Sequence, residues 1–168
     1  MNSVISIHTI RFIVLVFTQA LIFNHINFLG YINPYPYLLF ILFYPVKNNR
    51  MLFIFLSFLL GLTVDMFLDT GGIHAAASVL VAYARPVFLK SSFGMIYEHQ
   101  TIKFNAVEFG SKLTYIAFLT VIHHIVLFSL EIFSASKIIL ILQKALFSSI
   151  FTILLCVLLT VIFSRNKT

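Results

Sequence analysis

Charge is what this chain has least of. Only 10% of its 168 residues are Asp, Glu, Lys or Arg, while 61% are hydrophobic and the mean hydropathy is +1.05; ordinary soluble domains carry about 25% charged residues. A water-soluble fold has too little polar surface to cover so much Phe, Leu and Ile, so lipid must be the solvent for most of the chain. Acid is scarcest: five Asp and Glu in all leave little material for acid–base catalysis. The one cysteine, Cys156, excludes an intrachain disulfide and any cysteine-based zinc site. In its apolar run it reads as a small hydrophobe of a membrane helix. The sequence holds no P-loop, nucleophile elbow, GxGxxG, HExxH or CxxC motif. No cofactor and no metal is expected.

The net charge of +6 comes from Lys and Arg scattered singly between apolar runs. That pattern fits loop charges under the positive-inside rule rather than a phosphate-binding stripe, so nucleic acid is not an expected partner.

A membrane helix needs roughly 20 mostly apolar residues to cross about 30 Å. On that measure the chain is an all-α integral membrane protein, one polytopic domain over 1–168, with spans at about 10–27, 30–46, 51–68, 73–89, 113–131 and 145–163. The first resembles a signal h-region, but Asn24-His25-Ile26-Asn27 is no cleavage site, so it is read as retained. The second is broken by proline. Between Pro36 and Pro45 lie eight apolar residues, about 12 Å of helix, too short to cross unless joined to Phe28–Ile32. Ile138–Leu142, bounded by Lys137 and Lys144, reads as an interfacial turn outside the last span. Six crossings place both termini inside, together with Arg11, Lys47, Arg50, Arg85, Lys90, Lys103, Lys112, Arg165 and Lys167. Lys137 and Lys144 then lie outside with Asp69 and Glu131.

Ionisable groups within spans are costly and are functional candidates by default. Asp65 and Asp69 share a helix face, and His74 follows the turn Thr70-Gly71-Gly72. The three could hold a cation or relay a proton. The plainer reading is a glycine hairpin in which Asp69 or Thr70 caps the next helix. Arg85, followed by Pro86, lies too far along its helix to reach Asp65 and is read as snorkelling to the inner interface, with Pro86 shaping the exit; a ligand-binding role is the lesser alternative. His123 and His124 point about 100° apart, so one bonds a neighbouring helix rather than both gripping one ion. Ala75, Ser78 and Ala82 form a small-residue face suited to close helix packing, within the chain in the favoured reading and against a partner in the alternative.

These residues carry a resemblance. Gly61-Leu62-Thr63-Val64-Asp65-Met66-Phe67, Gly72-Ile73-His74-Ala75-Ala76-Ala77 and Ala82-Tyr83-Ala84-Arg85-Pro86 resemble the core signature of the MreD family of rod shape-determining proteins. Asn33-Pro34-Tyr35-Pro36-Tyr37 with Pro45 is similar to the proline-containing second segment of its Bacteroidota-type members. The likeness covers about residues 24–89; the C-terminal half agrees only in hydropathy. It implies a non-catalytic subunit in the bacterial inner membrane, bound to MreC and through it to MreB, RodA and a penicillin-binding transpeptidase, supporting cell shape and lateral peptidoglycan synthesis. It also implies a fold similar to the substrate-binding component of energy-coupling-factor transporters. Asn33, Pro34, Gly61, Asp65, Gly72, Arg85 and Pro86 would hold that fold or the contact surface. The alternative is a small-molecule-binding transporter subunit, with an outward pocket at Asp65, Asp69 and His74.

Overall fold

The computed structural model describes residues 2–26, 32–46, 49–94, 97, 104 and 107–164. In hydrocarbon every main-chain N–H and C=O must be bonded within the protein, so long apolar runs wind into helices. The described helices are α1 (Asn2–Leu21), α2 (Leu38–Phe43), α3 (Arg50–Leu68), α4 (Ile73–Phe93), α5 (Phe109–Ile132) and α6 (Ile138–Ser164). No strand occurs among the described residues. Arg50–Leu68, Phe109–Ile132 and Ala135–Ile162 are long and apolar enough to cross a membrane, and Thr9–Leu21 is apolar but shorter.

Three boundaries differ from the sequence expectation. α1 begins at Asn2 and stops at Leu21, so Arg11 lies in its middle, exposed, rather than at its start. No Gly or Pro before Leu21 interrupts it, and residues 27–31 lie outside the described set. α4 runs through Pro86 to Phe93, so the proline does not mark the exit. Ile138–Leu142 is no separate turn but the start of the 27-residue α6. Lys144 does not break that helix because its ammonium reaches back to Glu131 at 2.9 Å and lies over the Phe128 ring. Lys47, Lys103, Arg165 and Lys167 fall outside the described residues.

Ring and hydrogen-bond contacts fix the order of packing. α1 runs alongside α3 in the same direction, with Phe17 against Phe67. α3 and α4 form a hairpin, α5 returns antiparallel to α4 with Phe118 on Phe88, and α6 returns along α5. The proline-broken segment lies inside. Tyr35 packs on Phe128 and His124 of α5, Tyr37 on His123, and the Leu42 carbonyl meets Tyr115. From Phe128 to Tyr115 the segment therefore descends about 20 Å along α5. Its helical part, α2, has six residues, about 9 Å; the rest is extended or turn.

Burial departs from that of a soluble protein in two ways: polar groups sit within the apolar core, and large apolar side chains face outward. Gln19, Ser57, Asp65, His74, Ser78, Arg85, Thr120, His123, His124 and Thr152 are buried, while Met51, Phe55, Met66, Val87 and Leu154 are exposed. Water would penalise that outer surface and lipid does not.

The α3–α4 hairpin is held at backbone distance. A Cβ on Gly61 would lie 2.5 Å from the Ala75 Cα and the His74 carbonyl oxygen, so only glycine fits. Ala75, Ser78 and Ala82 are all buried, in keeping with the small face packing within the chain. The turn itself needs left-handed backbone at Asp69, Gly71 and Gly72 (φ 53°, 65° and 98°).

Two outcomes test this packing. Gly61→Ala should lower the unfolding temperature in detergent, reflecting a loss of at least the ~1–3 kcal/mol of ordinary overpacking. Gly110→Ala, whose Cβ meets nothing nearer than 4.0 Å, should be neutral or slightly stabilising; equal behaviour of the two variants would refute the close crossing. Cys156, fully buried on α6, should react with a maleimide only after unfolding, and rapid labelling of the folded protein would contradict its placement.

Candidate functional site

Proline is what creates the polar interior. Pro34, Pro36 and Pro45 supply no N–H, and the chain around them is not helical, so α2 and its flanks carry main-chain groups that no helix ladder can satisfy. Water is not at hand at this depth. Side chains from the surrounding helices do the work instead.

At one end, the Tyr35 N–H donates to Thr152 Oγ1 of α6 at 3.1 Å. Thr152 also lies 3.2 Å from His124 Nε2 and 2.8 Å from the Ser148 carbonyl. His124 Nδ1 faces the Thr120 carbonyl at 2.7 Å and must donate to it. With a neutral ring, Nε2 then accepts, and the single Thr152 hydroxyl proton has two acceptors to choose between. Beside this, Tyr37 Oη bridges His74 Nδ1 at 3.1 Å and His123 Nε2 at 2.7 Å. A phenol has one proton, so it donates to one imidazole and accepts from the other. The network is fully buried: Tyr37, His123 and His124 have no exposed surface. His123 Nδ1 and the hydroxyls of Ser78, Thr120, Ser148 and Ser149 have no protein partner.

At the other end, Arg85 acts as a clamp. Its Nη2 donates to the Leu42 and Tyr44 carbonyls at 3.1 and 2.6 Å, and its Nε donates to Tyr115 Oη at 2.8 Å. Tyr115 in turn donates to the Leu42 carbonyl at 2.9 Å. The guanidinium stacks over Phe53, 4.9 Å from the ring centre. These are the carbonyls that α2 leaves open where it stops before Pro45. A planar fork serves two carbonyls and a phenol from separate nitrogens in fixed directions, whereas the donors of a lysine share one nitrogen. Arg85 therefore does not snorkel to the interface as its sequence position suggested; it is 3% exposed, with Nε and Nη2 bonded inside.

Asp65 caps α4, a role the sequence pointed to Asp69 or Thr70 for. Its two carboxylate oxygens accept from the His74 and Ala75 N–H groups at 3.0 and 2.8 Å, and Oδ1 also accepts from the Thr70 hydroxyl. The position suits an acid, since the open N–H groups of a helix start carry partial positive charge. Asp69 is exposed in the αL backbone that ends α3, and the His74 ring turns inward to Tyr37. The three expected partners of a cation therefore do not converge. Asp65 serves the start of α4 and Arg85 projects from within it, eleven residues on from His74, or about 16 Å.

Of the other expected residues, Gly61 and Gly72 shape the hairpin, Pro34 is buried, Asn33 is half-buried near the Tyr35 end, and Pro86 borders a cavity beside Arg85. His123 and His124 each bond a different neighbour rather than one alone doing so. Tyr37, Tyr115 and Thr152 were not singled out by sequence. Thr152 had a faint signal, in the stripe Ser148, Thr152, Cys156 at four-residue spacing within a Phe/Leu/Ile helix.

Removing the fork should cost more than removing its phenol. A buried carbonyl left without a donor costs about 1–3 kcal/mol. Arg85→Lys should thus lower the unfolding temperature nearly as far as Arg85→Met, and Tyr115→Phe less, because Leu42 keeps its bond to Arg85. A wild-type melting curve for Arg85→Lys would sink the clamp. Likewise Thr152→Val, which strands the Tyr35 N–H, should destabilise, whereas Thr152→Ser should recover most of the loss. In comparison with known proteins, no family model, curated protein or solved structure matches this chain.

Proposed function

We propose that this chain is a non-catalytic, six-crossing subunit of a bacterial elongation complex, of the MreD kind, that grips the transmembrane anchor of MreC in the inner membrane. One observation carries the reading: the motif residues Gly61, Asp65, Gly72 and Arg85 are each spent on holding α2, α3 and α4 together. A subunit whose motif residues are spent on its own fold offers partners a shaped apolar surface rather than a reacting group. Apolar side chains cover the outer faces of α3 and α6, and packing of such faces is how helices associate in lipid.

In this reading α1, the α2 segment, α3, α4, α5 and α6 each cross once, giving the architecture of the energy-coupling-factor substrate-binding components with a broken second helix. Arg50, Lys90 and Lys112 then lie at one end of the bundle, and Asp69, Glu131, Lys137 and Lys144 at the other. The positive-inside rule makes the first end cytosolic, along with both termini. The transporter alternative has less support, because its expected pocket residues Asp65, Asp69 and His74 point to separate places.

The deciding experiment is copurification of the tagged chain from membranes followed by crosslinking. MreC should come with it, and depletion should round the cells. Recovery without MreC, together with unaltered rod shape on depletion, would remove the proposal. Asp65→Ala should weaken shape maintenance in step with lower protein level, since its carboxylate supports the fold. A reporter fused after Lys167 should prove cytosolic, and a periplasmic signal would overturn the topology.

A further inference from the structure

A cavity of about 160 Å³ opens beside the Arg85 clamp. Its basic lining is Arg85 and Arg50, and its apolar walls include Pro45, Val46, Phe53 and Leu89. None of the described residues that line it is acidic. Arg85 is 3% exposed and its contacts are a phenol, two carbonyls and a ring face, all dipoles or quadrupoles without net charge. A desolvated cation held only by dipoles keeps most of its attraction for an anion. Arg50 stands at the rim, anchored by a bond from Nη2 to the Tyr83 carbonyl at 3.2 Å and by stacking 5.0 Å over the Tyr83 ring.

Size and setting narrow the class of anion. Pockets that enclose drug-sized ligands run roughly 300–1,000 Å³, so this one admits a single small group. It lies at the bundle end that carries Arg50, Lys90 and Lys112, and basic pockets between membrane helices on the cytoplasmic side suit anionic headgroups. The surface adjoining the rim is apolar and open: Met51, Tyr83 and Val87 are 77%, 65% and 67% exposed. An acyl chain can lie there while the headgroup sits inside.

We propose that the Arg50–Arg85 cavity binds the phosphate of an anionic phospholipid of the inner leaflet. Arg50 and the remaining edge of the Arg85 guanidinium face the phosphate oxygens, and the glycerol and chains leave past Tyr83. The same phosphate chemistry could be met by a free anion. The proposal rests on the topology proposed above, which puts this end at the inner leaflet, and it is independent of any particular protein partner.

The test uses the purified full chain in detergent, melted with increasing phosphatidylglycerol, phosphatidylethanolamine or inorganic phosphate. Phosphatidylglycerol should raise the unfolding temperature and phosphatidylethanolamine should not. Arg50→Gln should weaken the phosphatidylglycerol response about fivefold, the worth of one basic residue near an anionic membrane surface. Val46→Phe, which narrows the cavity without removing charge, should weaken it too. Lys90→Gln, at the same end but outside the lining, should leave it intact. Equal responses to the two lipids, or equal losses in Arg50→Gln and Lys90→Gln, would overturn the site. Protection by inorganic phosphate as strong as that by lipid, with the same Arg50 dependence, would overturn the lipid as its source.

Discussion

The fold turns on a debt of hydrogen bonds inside hydrocarbon. A segment that proline limits to one short helix runs through the middle of the bundle, and the main-chain groups flanking that helix have no ladder partner. Each described answer comes from a different helix: Thr152 of α6 for the Tyr35 N–H, Arg85 of α4 and Tyr115 of α5 for the carbonyls at Leu42 and Tyr44. Irregular backbone is tolerated at such depth only under that condition. The polar interior follows from it, and so does the apolar exterior, since the polar side chains are needed within.

The same constraint explains why Arg85 is an arginine. Two carbonyls and one phenol converge on a flat fork, with Phe53 beneath it. No carboxylate among the described residues answers its charge, so the clamp leaves an electrostatic surplus beside an open cavity. One residue thereby closes the end of α2 and gives the neighbouring space its sign. At the start of α4, Asp65 settles the open N–H groups from the preceding helix rather than from the turn. The hairpin is thus tied by side chain as well as by the Gly61–Ala75 contact.

Much of this was legible in the residues. Apolar runs marked the long helices, the proline pair marked the broken segment, and the glycine turn and small face marked a tight α3–α4 hairpin. What stayed hidden were partners separated along the chain. A bond between residues 35 and 152, or 42 and 115, leaves no periodic trace in a sequence. Arg85 was misread for that reason: its distance from the helix end suggested an interface, and its acceptors lay forty residues away in a segment whose open carbonyls only the fold reveals. The continuity of α6 was hidden differently. Lys137 and Lys144 look like the borders of a separate piece, but a lysine that reaches an acid on the neighbouring helix need not end its own.

The position of the broken segment sets an order on biogenesis. It leaves the ribosome early, with a helix of six residues that cannot insert as an independent span. Its donors and acceptors arrive later, with Arg85, then Tyr115, then Thr152 as the last. Synthesis therefore delivers the neediest part of the chain first and its remedy last. Until α6 emerges, the nascent protein holds an unfinished centre, and a truncation upstream of Thr152 leaves the Tyr35 N–H without that acceptor.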